Sequence, residues 1–207
     1  QPYQARLYKT ELRKETVNIM NNNKRGKLVL YTGCSGVGKG TILEKIRERD
    51  PNVWVSVSNT TRGKREGEID GVHYVFVTKE QFENLIKENG FLEYAKYCDN
   101  YYGTPKKPVE DMLADGRTVI LEIEVKGGLQ IMEKYPDVVS IFILPPSLDE
   151  LEKRLRNRGT EDEETIRKRL SEAKHELGFK DRYSYNVVND NLDEAVDEII
   201  NIINKDA

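Results

Sequence analysis

A glycine-rich run, GCSGVGKGT at residues 33–41, constrains the fold of this chain more than any other segment. It follows the apolar, β-prone stretch KLVLYT (27–32) and precedes ILEKIRER (42–49), whose apolar residues have the spacing of a helix. The glycines let the backbone bend so that successive N–H groups point into one concavity, and a helix that begins there presents unpaired N–H groups to an anion. The order of strand, glycine loop and helix therefore predicts a phosphate-binding loop.

The loop departs in one place from the usual pattern GxxxxGK followed by Ser or Thr. Gly40 follows Lys39, and the hydroxyl comes one position later, at Thr41. Lys39 is expected to reach the outer phosphates of a nucleotide with its ammonium group. Glycine-rich runs also occur as plain turns, so the prediction depends on the strand and the helix on either side.

The charge balance and the cysteine content exclude several classes of protein. The chain has 33 basic and 36 acidic residues, and this near cancellation argues against general binding to nucleic acid. We find no apolar run of membrane-spanning length and no secretory signal, so no membrane partner is expected. Cys34 and Cys98 form neither a metal pair nor a disulfide framework, and His73 and His175 are isolated, so a reducing, cytoplasmic location is expected.

Strand-length apolar runs alternate with helical patterns through most of the 207 residues. This order predicts an α/β domain with a parallel sheet covered by helices on both faces and an active crevice at the carboxyl ends of the strands. Residues 53–104 differ, because strand patterns crowd together there around one helix, and we expect a small β-rich insertion. Residues 1–25 are assigned to an N-terminal extension or to a leader added before a natural start at Met20.

Two later segments carry further expectations. DNYYGTP (99–105) is interpreted as a turn, and TVILEIEV (118–125) as one buried strand with Glu122 and Glu124 at its end. A carboxylate at the end of such a strand, near a phosphate loop, commonly reaches a magnesium ion or the water around it. The alternative is a surface acid in a loop.

Basic residues cluster in two places. The stretch between two predicted strands contains Ser58, Thr60, Thr61, Arg62, Lys64 and Arg65. Two arginines three residues apart can hold one dianion from two sides, although a solvated basic turn is the alternative. The predicted helices 147–159 and 160–177 carry Arg154, Arg156, Arg158, Arg167 and Arg169. Arginines near a helix C-terminus are often only partners of the helix dipole.

Five stretches in order resemble the guanylate kinase family, whose members transfer the γ-phosphoryl group of ATP to GMP. They are GCSGVGKGT, SVSNTTRGKREGEIDGVHYVF, FLEYAKYCDNYYGTP, ILEIEVKGG and RLRNRGTEDEETIRKRL, and the resemblance covers residues 26–204. It implies a P-loop kinase core formed by residues 26–52 and 105–204, a GMP-binding insertion at 53–104 and an arginine-bearing helical lid at 154–169.

The resemblance also implies site residues. The ATP-binding set comprises Gly33, Ser35, Gly36, Val37, Gly38, Lys39, Gly40 and Thr41, with Thr41 and the ATP phosphates holding one Mg²⁺. The GMP-binding set comprises Ser58, Arg62, Arg65, Tyr74, Glu93, Tyr102, Thr104 and Glu124. The catalytic set comprises Lys39, Arg62, Arg154, Arg158 and Arg169, which align the phosphates and offset their charge. Glu93 also has a physical rationale, because guanine offers adjacent N1–H and N2 amino donors where adenine does not.

Three positions depart from the family pattern. Cys34 stands where proline is usual, Glu124 where aspartate is usual and Lys126 where glutamine is common. None of these changes removes a group that phosphoryl transfer needs.

Two alternatives remain open beside an active guanylate kinase. One is a binding module that has kept the fold and lost catalysis; Lys39, the loop glycines and the lid arginines count against it. The other is a kinase for another monophosphate such as UMP or dTMP; Glu93 and the pair Arg62 and Arg65 count against it. Deoxy-GMP as a further acceptor fits the sequence, as do a monomer and a homodimer. The insertion and the lid are expected to close over the nucleotides, which shields the phosphates from water.

Overall fold

The computed structural model describes residues 25–97, 99–157 and 162–205. The predicted N-terminal segment before residue 25, Cys98 and the predicted lid residue Arg158 lie outside these ranges. Within the ranges, no helix combines the length and the apolar character needed to cross a membrane.

Strands and helices alternate along the described residues. The strands are β1 (Leu28–Gly33), β2 (Val53–Val55), β3 (Asn59–Thr60), β4 (Val75–Phe76), β5 (Phe91–Tyr97), β6 (Asn100–Pro105), β7 (Thr118–Glu122), β8 (Val139–Leu144) and β9 (Tyr185–Val188). The α-helices are α1 (Lys39–Arg49), α2 (Lys79–Lys87), α3 (Lys106–Ala114), α4 (Val125–Lys134), α5 (Leu148–Asn157), α6 (Glu163–Leu177) and α7 (Leu192–Lys205). A short 3-10 helix covers Lys180–Arg182.

Five strands form a parallel sheet in the order β2-β7-β1-β8-β9. β1 is central, and its Leu30 pairs with Leu121 of β7 on one side and with Ser140 of β8 on the other. Because all the pairings are parallel, the carboxyl ends of the five strands meet at one edge, where the loop after β1 also lies. The prediction of an α/β domain with a parallel sheet is confirmed.

The alternation of side chains along β1 shows how the sheet gains a hydrophobic layer on each face. Val29 and Tyr31 are fully buried and pack on one face, in the same cluster as Ile42 of α1. Leu30, between them, packs on the other face in a cluster that contains Ile131 of α4. Successive side chains of a strand point to opposite faces, so helices can cover both sides of this sheet.

The other four strands form a second sheet, in the order β4-β3-β6-β5. The prediction of a turn at 99–105 is wrong, because this segment contains strand β6, which pairs antiparallel with both β3 and β5. Pairing on two edges overrides the local turn signal of Gly and Pro. A Cβ on Gly103 would lie 2.9 Å from the Phe91 ring and 3.0 Å from the Phe82 ring, so this glycine lets α2 pack closely on the sheet.

Two predicted boundaries also differ from the structure. The insertion is predicted to begin at residue 53, but β2 pairs with β7 in the parallel sheet, so the second sheet begins only with β3. The predicted strand 118–125 ends at Glu122, where the pairing with β1 ends. Glu124 is instead the extended N-cap of α4, and its carbonyl accepts a hydrogen bond from the Gly128 N–H at 2.9 Å.

Candidate active site

The phosphate loop connects the end of β1 at Gly33 to the start of α1 at Lys39. Gly36 and Gly38 have positive φ angles of 86° and 98°, a region that favours glycine. The Nζ of Lys39 donates to the carbonyls of Gly33 and Cys34 at 2.6 and 3.3 Å, so the ammonium lies folded across the loop. This ammonium and the N–H groups at the start of α1 are the groups for which the sequence predicts phosphate binding, and that role stays a prediction.

Asn189, which the sequence analysis did not single out, fixes this loop from the far end of the chain. Its buried side chain donates from Nδ2 to the carbonyl of Val37 at 2.8 Å. A Cβ on Gly38 would lie 2.5 Å from the same nitrogen, so a side chain there would push the amide away. Asn189 is the first residue after β9, at the carboxyl edge of the sheet, and that position is the signal that points to it.

A cavity of about 410 Å³ beside Lys39 is lined by residues of both sheets. From the predicted GMP-binding set it is lined by Ser58, Arg62, Arg65, Tyr74, Glu93, Tyr102 and Glu124. It is also lined by residues outside that set, among them Ser56, Glu68, His73, Glu122 and Lys126. The structure therefore brings together side chains as distant in sequence as Lys39 and Glu124, which are 85 positions apart.

Arg62 is held on several sides within the cavity wall. Its guanidinium makes a two-bond ion pair with the Glu68 carboxylate, at 2.6 and 3.0 Å. It also lies 5.5 Å from the ring centre of Tyr74 and 5.8 Å from that of Phe76. The rings of Tyr74 and Tyr102 meet edge to face at 5.9 Å. Burial raises the pKa of Tyr74, so its hydroxyl stays protonated and can donate to an anion.

Glu93 is a buried acid that lines the same cavity. Thr104 donates its backbone N–H and its hydroxyl to Oε1 of Glu93, at 3.0 and 2.6 Å. The other oxygen, Oε2, lies beside Gly127, where a Cβ would come within 2.6 Å of it. Burial raises the pKa of Glu93, while the two hydrogen bonds from Thr104 oppose the rise. Thr104 thus orients a carboxylate that can accept from a ligand with adjacent donors.

Acidic side chains lie within electrostatic reach of Lys39. Burial raises the pKa of Glu122 and the Lys39 ammonium opposes the rise. Burial also raises the pKa of half-buried Glu176 to about 6, and both Lys39 and a hydrogen bond from the Ser35 backbone N–H oppose that rise. An incoming phosphate would therefore compete with these acids for the lysine.

The three predicted lid arginines differ in their surroundings and in whether the structure describes them. Arg154, on α5, donates from Nη1 to the carbonyl of Asn189 at 3.0 Å and from Nε to Glu150 at 3.1 Å. Through Asn189 it is linked to the phosphate loop. Arg169 lies partly buried on α6, and Arg158 is outside the described residues. The charge-stabilising roles of these arginines stay predictions.

Glu68 and Glu176 also belong to the site, although the sequence analysis did not single them out. Glu68 is six positions from Arg62, and the complementary charge in this short segment is the available signal. No sequence pattern connects Glu176 with the phosphate loop, because α6 reaches the loop only through packing. Ala173 of α6 is buried in the same cluster as Cys34 and Val37.

Comparison with known proteins is consistent with this geometry. The family model for guanylate kinase matches residues 25–206. The guanylate kinase of Carboxydothermus hydrogenoformans is 53% identical over 175 residues, which cover 84% of this chain and 86% of the relative. The guanylate kinase of Oceanobacillus iheyensis is 51% identical over 180 residues, which cover 87% of each protein. The crystal structure of guanylate kinase from Anaplasma phagocytophilum superposes with a TM-score of 0.72 at 34% identity, covering 88% of this chain and 87% of that chain. Because these matches span nearly the whole chain at high identity, the chain belongs to the guanylate kinase family.

Proposed function

We propose that the chain transfers the γ-phosphoryl group of ATP to GMP, giving ADP and GDP, and so acts in guanine nucleotide metabolism. The observation that carries this proposal is the cavity that joins Lys39 of the phosphate loop to Arg62, Tyr74 and buried Glu93. Membership of the guanylate kinase family, with relatives of that name at 53% and 51% identity, supports the same reaction.

Glu93 would select guanine. Guanine presents N1–H and the N2 amino group side by side, and a carboxylate can accept from both, whereas adenine has an acceptor at N1. Thr104 already holds Oε1 of Glu93 by two hydrogen bonds, so the carboxylate is oriented before the base arrives. Ser58 and Glu124 line the cavity and would complete the contacts around the nucleoside.

The acceptor phosphate would bind the wall that contains Arg62, Arg65, Tyr74 and Tyr102. Transfer forms a bond between an oxygen of that phosphate and the γ-phosphorus, and it breaks the bond from this phosphorus to the bridging oxygen of ADP. The attacking oxygen is already anionic, so the protein need not supply a general base. Alignment of the two phosphates and stabilisation of their charge then account for catalysis.

The donor phosphates would bind the phosphate loop, residues 33–41, through its backbone N–H groups and Lys39. Arg154 would approach the group in transfer from α5, since its guanidinium is already linked to the loop through Asn189. Arg158 and Arg169 are proposed to act from the same lid segment.

The residues present fit a magnesium ion shared with ATP. Thr41 offers an exposed hydroxyl in the first turn of α1, and Glu122 offers a carboxylate in the cavity that Lys39 also lines. Among the residues described, no three His, Cys, Asp or Glu side chains are grouped as a metal cage. Mg²⁺ prefers oxygen ligands and usually shares them with substrate phosphates, so we propose that Thr41 and the ATP phosphates hold it. The bound ion would offset negative charge on the phosphate oxygens.

We further propose that residues 26–204 form one guanylate kinase domain, whose GMP-binding insertion lies within 53–104 and whose lid lies at 154–169. Both parts would close over the nucleotides to exclude water before transfer. We place the enzyme in the cytoplasm, and the free thiol of buried Cys34 fits a reducing compartment.

A panel of monophosphates tests the proposed function. The purified protein is incubated with ATP, Mg²⁺ and GMP, deoxy-GMP, AMP, UMP or dTMP, and ADP formation is followed in a coupled assay. We expect ADP formation that depends on GMP. A folded protein that forms no ADP with GMP would instead be a binding module, and faster turnover of dTMP than of GMP would indicate a different kinase.

A further inference from the structure

Glu68 lies inside the acceptor-phosphate wall although it belongs to none of the predicted binding sets. Its Oε1 accepts from Nη2 of Arg62 at 2.6 Å, and its Oε2 accepts from Nη1 of Arg62 at 3.0 Å. Oε2 also accepts from the backbone N–H of Arg65 at 2.7 Å. The side chains of Arg62 and Glu68 are only 13% and 16% exposed, so this pair is largely shielded from water.

The carboxylate leaves part of the Arg62 guanidinium available. A guanidinium has five N–H donors, and Glu68 takes two of them. The carbonyl of Gly63 takes the second N–H of Nη1 at 2.7 Å. The Nε–H and the other N–H of Nη2 remain, and these two bonds form a parallel fork that matches two oxygens of a phosphate.

The plane of this fork is fixed by its neighbours. The guanidinium lies over the rings of Tyr74 and Phe76, with its carbon 5.5 and 5.8 Å from the ring centres. The hydrogen bonds of Arg62 and of the Arg65 N–H hold the pKa of Glu68 at about 2, so its carboxylate stays ionised at neutral pH.

We propose that Glu68 is a positioning residue for the acceptor phosphate: it holds one edge of Arg62 so that the opposite edge is presented to the monophosphate. The inference rests on the proposed function, because it gives Arg62 the task of binding the phosphate of GMP. Ordering the long arginine side chain in advance removes an entropy cost that binding would otherwise have to meet.

The opposite role, a carboxylate that competes with the phosphate for Arg62, makes the contrary prediction for affinity. Under competition, removal of Glu68 strengthens GMP binding; under positioning, removal weakens it. The geometry favours positioning, because Glu68 is built into the turn: its own N–H donates to the Arg65 carbonyl at 3.2 Å while its side chain accepts from the Arg65 N–H. Displacing the carboxylate would leave that N–H and one N–H on each of Nη1 and Nη2 of Arg62 without the partner that they have now.

The test compares Glu68→Gln and Glu68→Ala with Glu66→Gln, which removes a carboxylate from an exposed position two residues away. We expect Glu68→Ala to raise KM for GMP about tenfold and Glu68→Gln to raise it less, since Gln keeps one acceptor oxygen. KM for ATP and competitive inhibition by guanosine, which lacks the phosphate, should stay within about twofold of wild type. Glu66→Gln should behave as wild type.

Each other result overturns the inference. An unchanged or lowered KM for GMP in both Glu68 variants contradicts positioning, and a lowered value indicates competition. Equal losses for GMP, ATP and guanosine indicate a general role in folding; the thermal unfolding midpoint of Glu68→Gln, which keeps the side-chain shape, checks this directly. Absence of GMP-dependent activity in the wild-type protein would refute the proposed function. An active wild type whose KM for GMP is unchanged by the Glu68 substitutions refutes only this inference.

Discussion

The side-chain amide of Asn189 donates to the carbonyl of Val37 at 2.8 Å, across 152 positions of sequence. This bond joins the end of β9 to the middle of the phosphate loop. The backbone carbonyl of Asn189 accepts in turn from Arg154 of α5. One residue therefore connects the loop that would hold the donor phosphates with the helix that begins the lid.

Asn189→Ala should weaken ATP binding. The substitution leaves the buried Val37 carbonyl without its partner, and we expect a loss of about 1–3 kcal/mol in the free energy of unfolding. The loop would also lose its fixed position, which should raise KM for ATP by about tenfold while KM for GMP changes little. Chemical denaturation and steady-state kinetics measure the two effects. Asn186→Ala, at an exposed position of β9, is the control, and equal KM values for the two variants would contradict the prediction.

Lys39→Met should abolish most turnover and preserve the fold. The Nζ of Lys39 bonds only to carbonyls of its own loop among the hydrogen bonds described, so the hydrophobic core does not depend on it. Under the proposed function the ammonium would meet the transferred phosphate, so its loss should lower kcat by about a hundredfold or more. The coupled ADP assay gives kcat, and the unfolding midpoint reports on folding. Lys45→Met, on the same helix, should retain activity; a Lys39 variant with near wild-type kcat would remove Lys39 from the catalytic set.

Glu93→Gln should reduce selectivity for guanine. The hydroxyl and N–H of Thr104 would orient the amide oxygen of Gln toward themselves, which turns its NH₂ donors toward the donors of the base. We expect kcat/KM for GMP to fall by about a hundredfold or more, because buried donors would then face each other. Steady-state kinetics with GMP and AMP give the selectivity. Exposed Glu88→Gln is the matched control, and unchanged GMP kinetics in Glu93→Gln would place the base elsewhere.

Glu176→Gln should raise stability at neutral and alkaline pH. Burial raises the pKa of Glu176 to about 6 from an ordinary value of 4.5, so the folded state binds this proton more tightly than the unfolded state. Stability is therefore lost as the pH rises from about 4.5 to about 6. The cost of the ionised carboxylate is absent below about pH 4.5 and reaches its full value above about pH 6. At pH 8 the variant should gain up to about 1–2 kcal/mol in the free energy of unfolding. Solvent screens the charge of this half-buried group and reduces the gain.

Denaturation between pH 5 and pH 8 checks this dependence. The gain of Glu176→Gln over wild type should shrink steadily as the pH falls, because the wild-type carboxyl becomes protonated. Glu198→Gln, at an exposed site on α7, should show no such trend. A gain that is independent of pH would show that the titration of Glu176 is not its cause.

The sequence by itself predicts the features whose conformation depends on residues close together in the chain, namely the phosphate loop and the alternation of strands and helices. The glycines of 33–41 predict the phosphate loop because the backbone there must take positive φ, as it does at Gly36 and Gly38. The alternation of apolar strands and helices predicts the parallel sheet for a similar reason, since each element carries its own periodicity. Eight of the site residues that the family resemblance supplied line one cavity, although their roles in binding and catalysis remain predictions: Lys39, Ser58, Arg62, Arg65, Tyr74, Glu93, Tyr102 and Glu124.

The tertiary structure decides what depends on partners distant in sequence. Residues 100–105 become a strand because β3 and β5 offer edges on both sides, and β2 joins the parallel sheet because β7 lies beside it. Asn189 and Glu176 enter the site only when β9 and α6 pack against the phosphate loop. Periodicity and turn signals act over a few residues, whereas these contacts arise from the packing of whole elements, and no short stretch of sequence contains them.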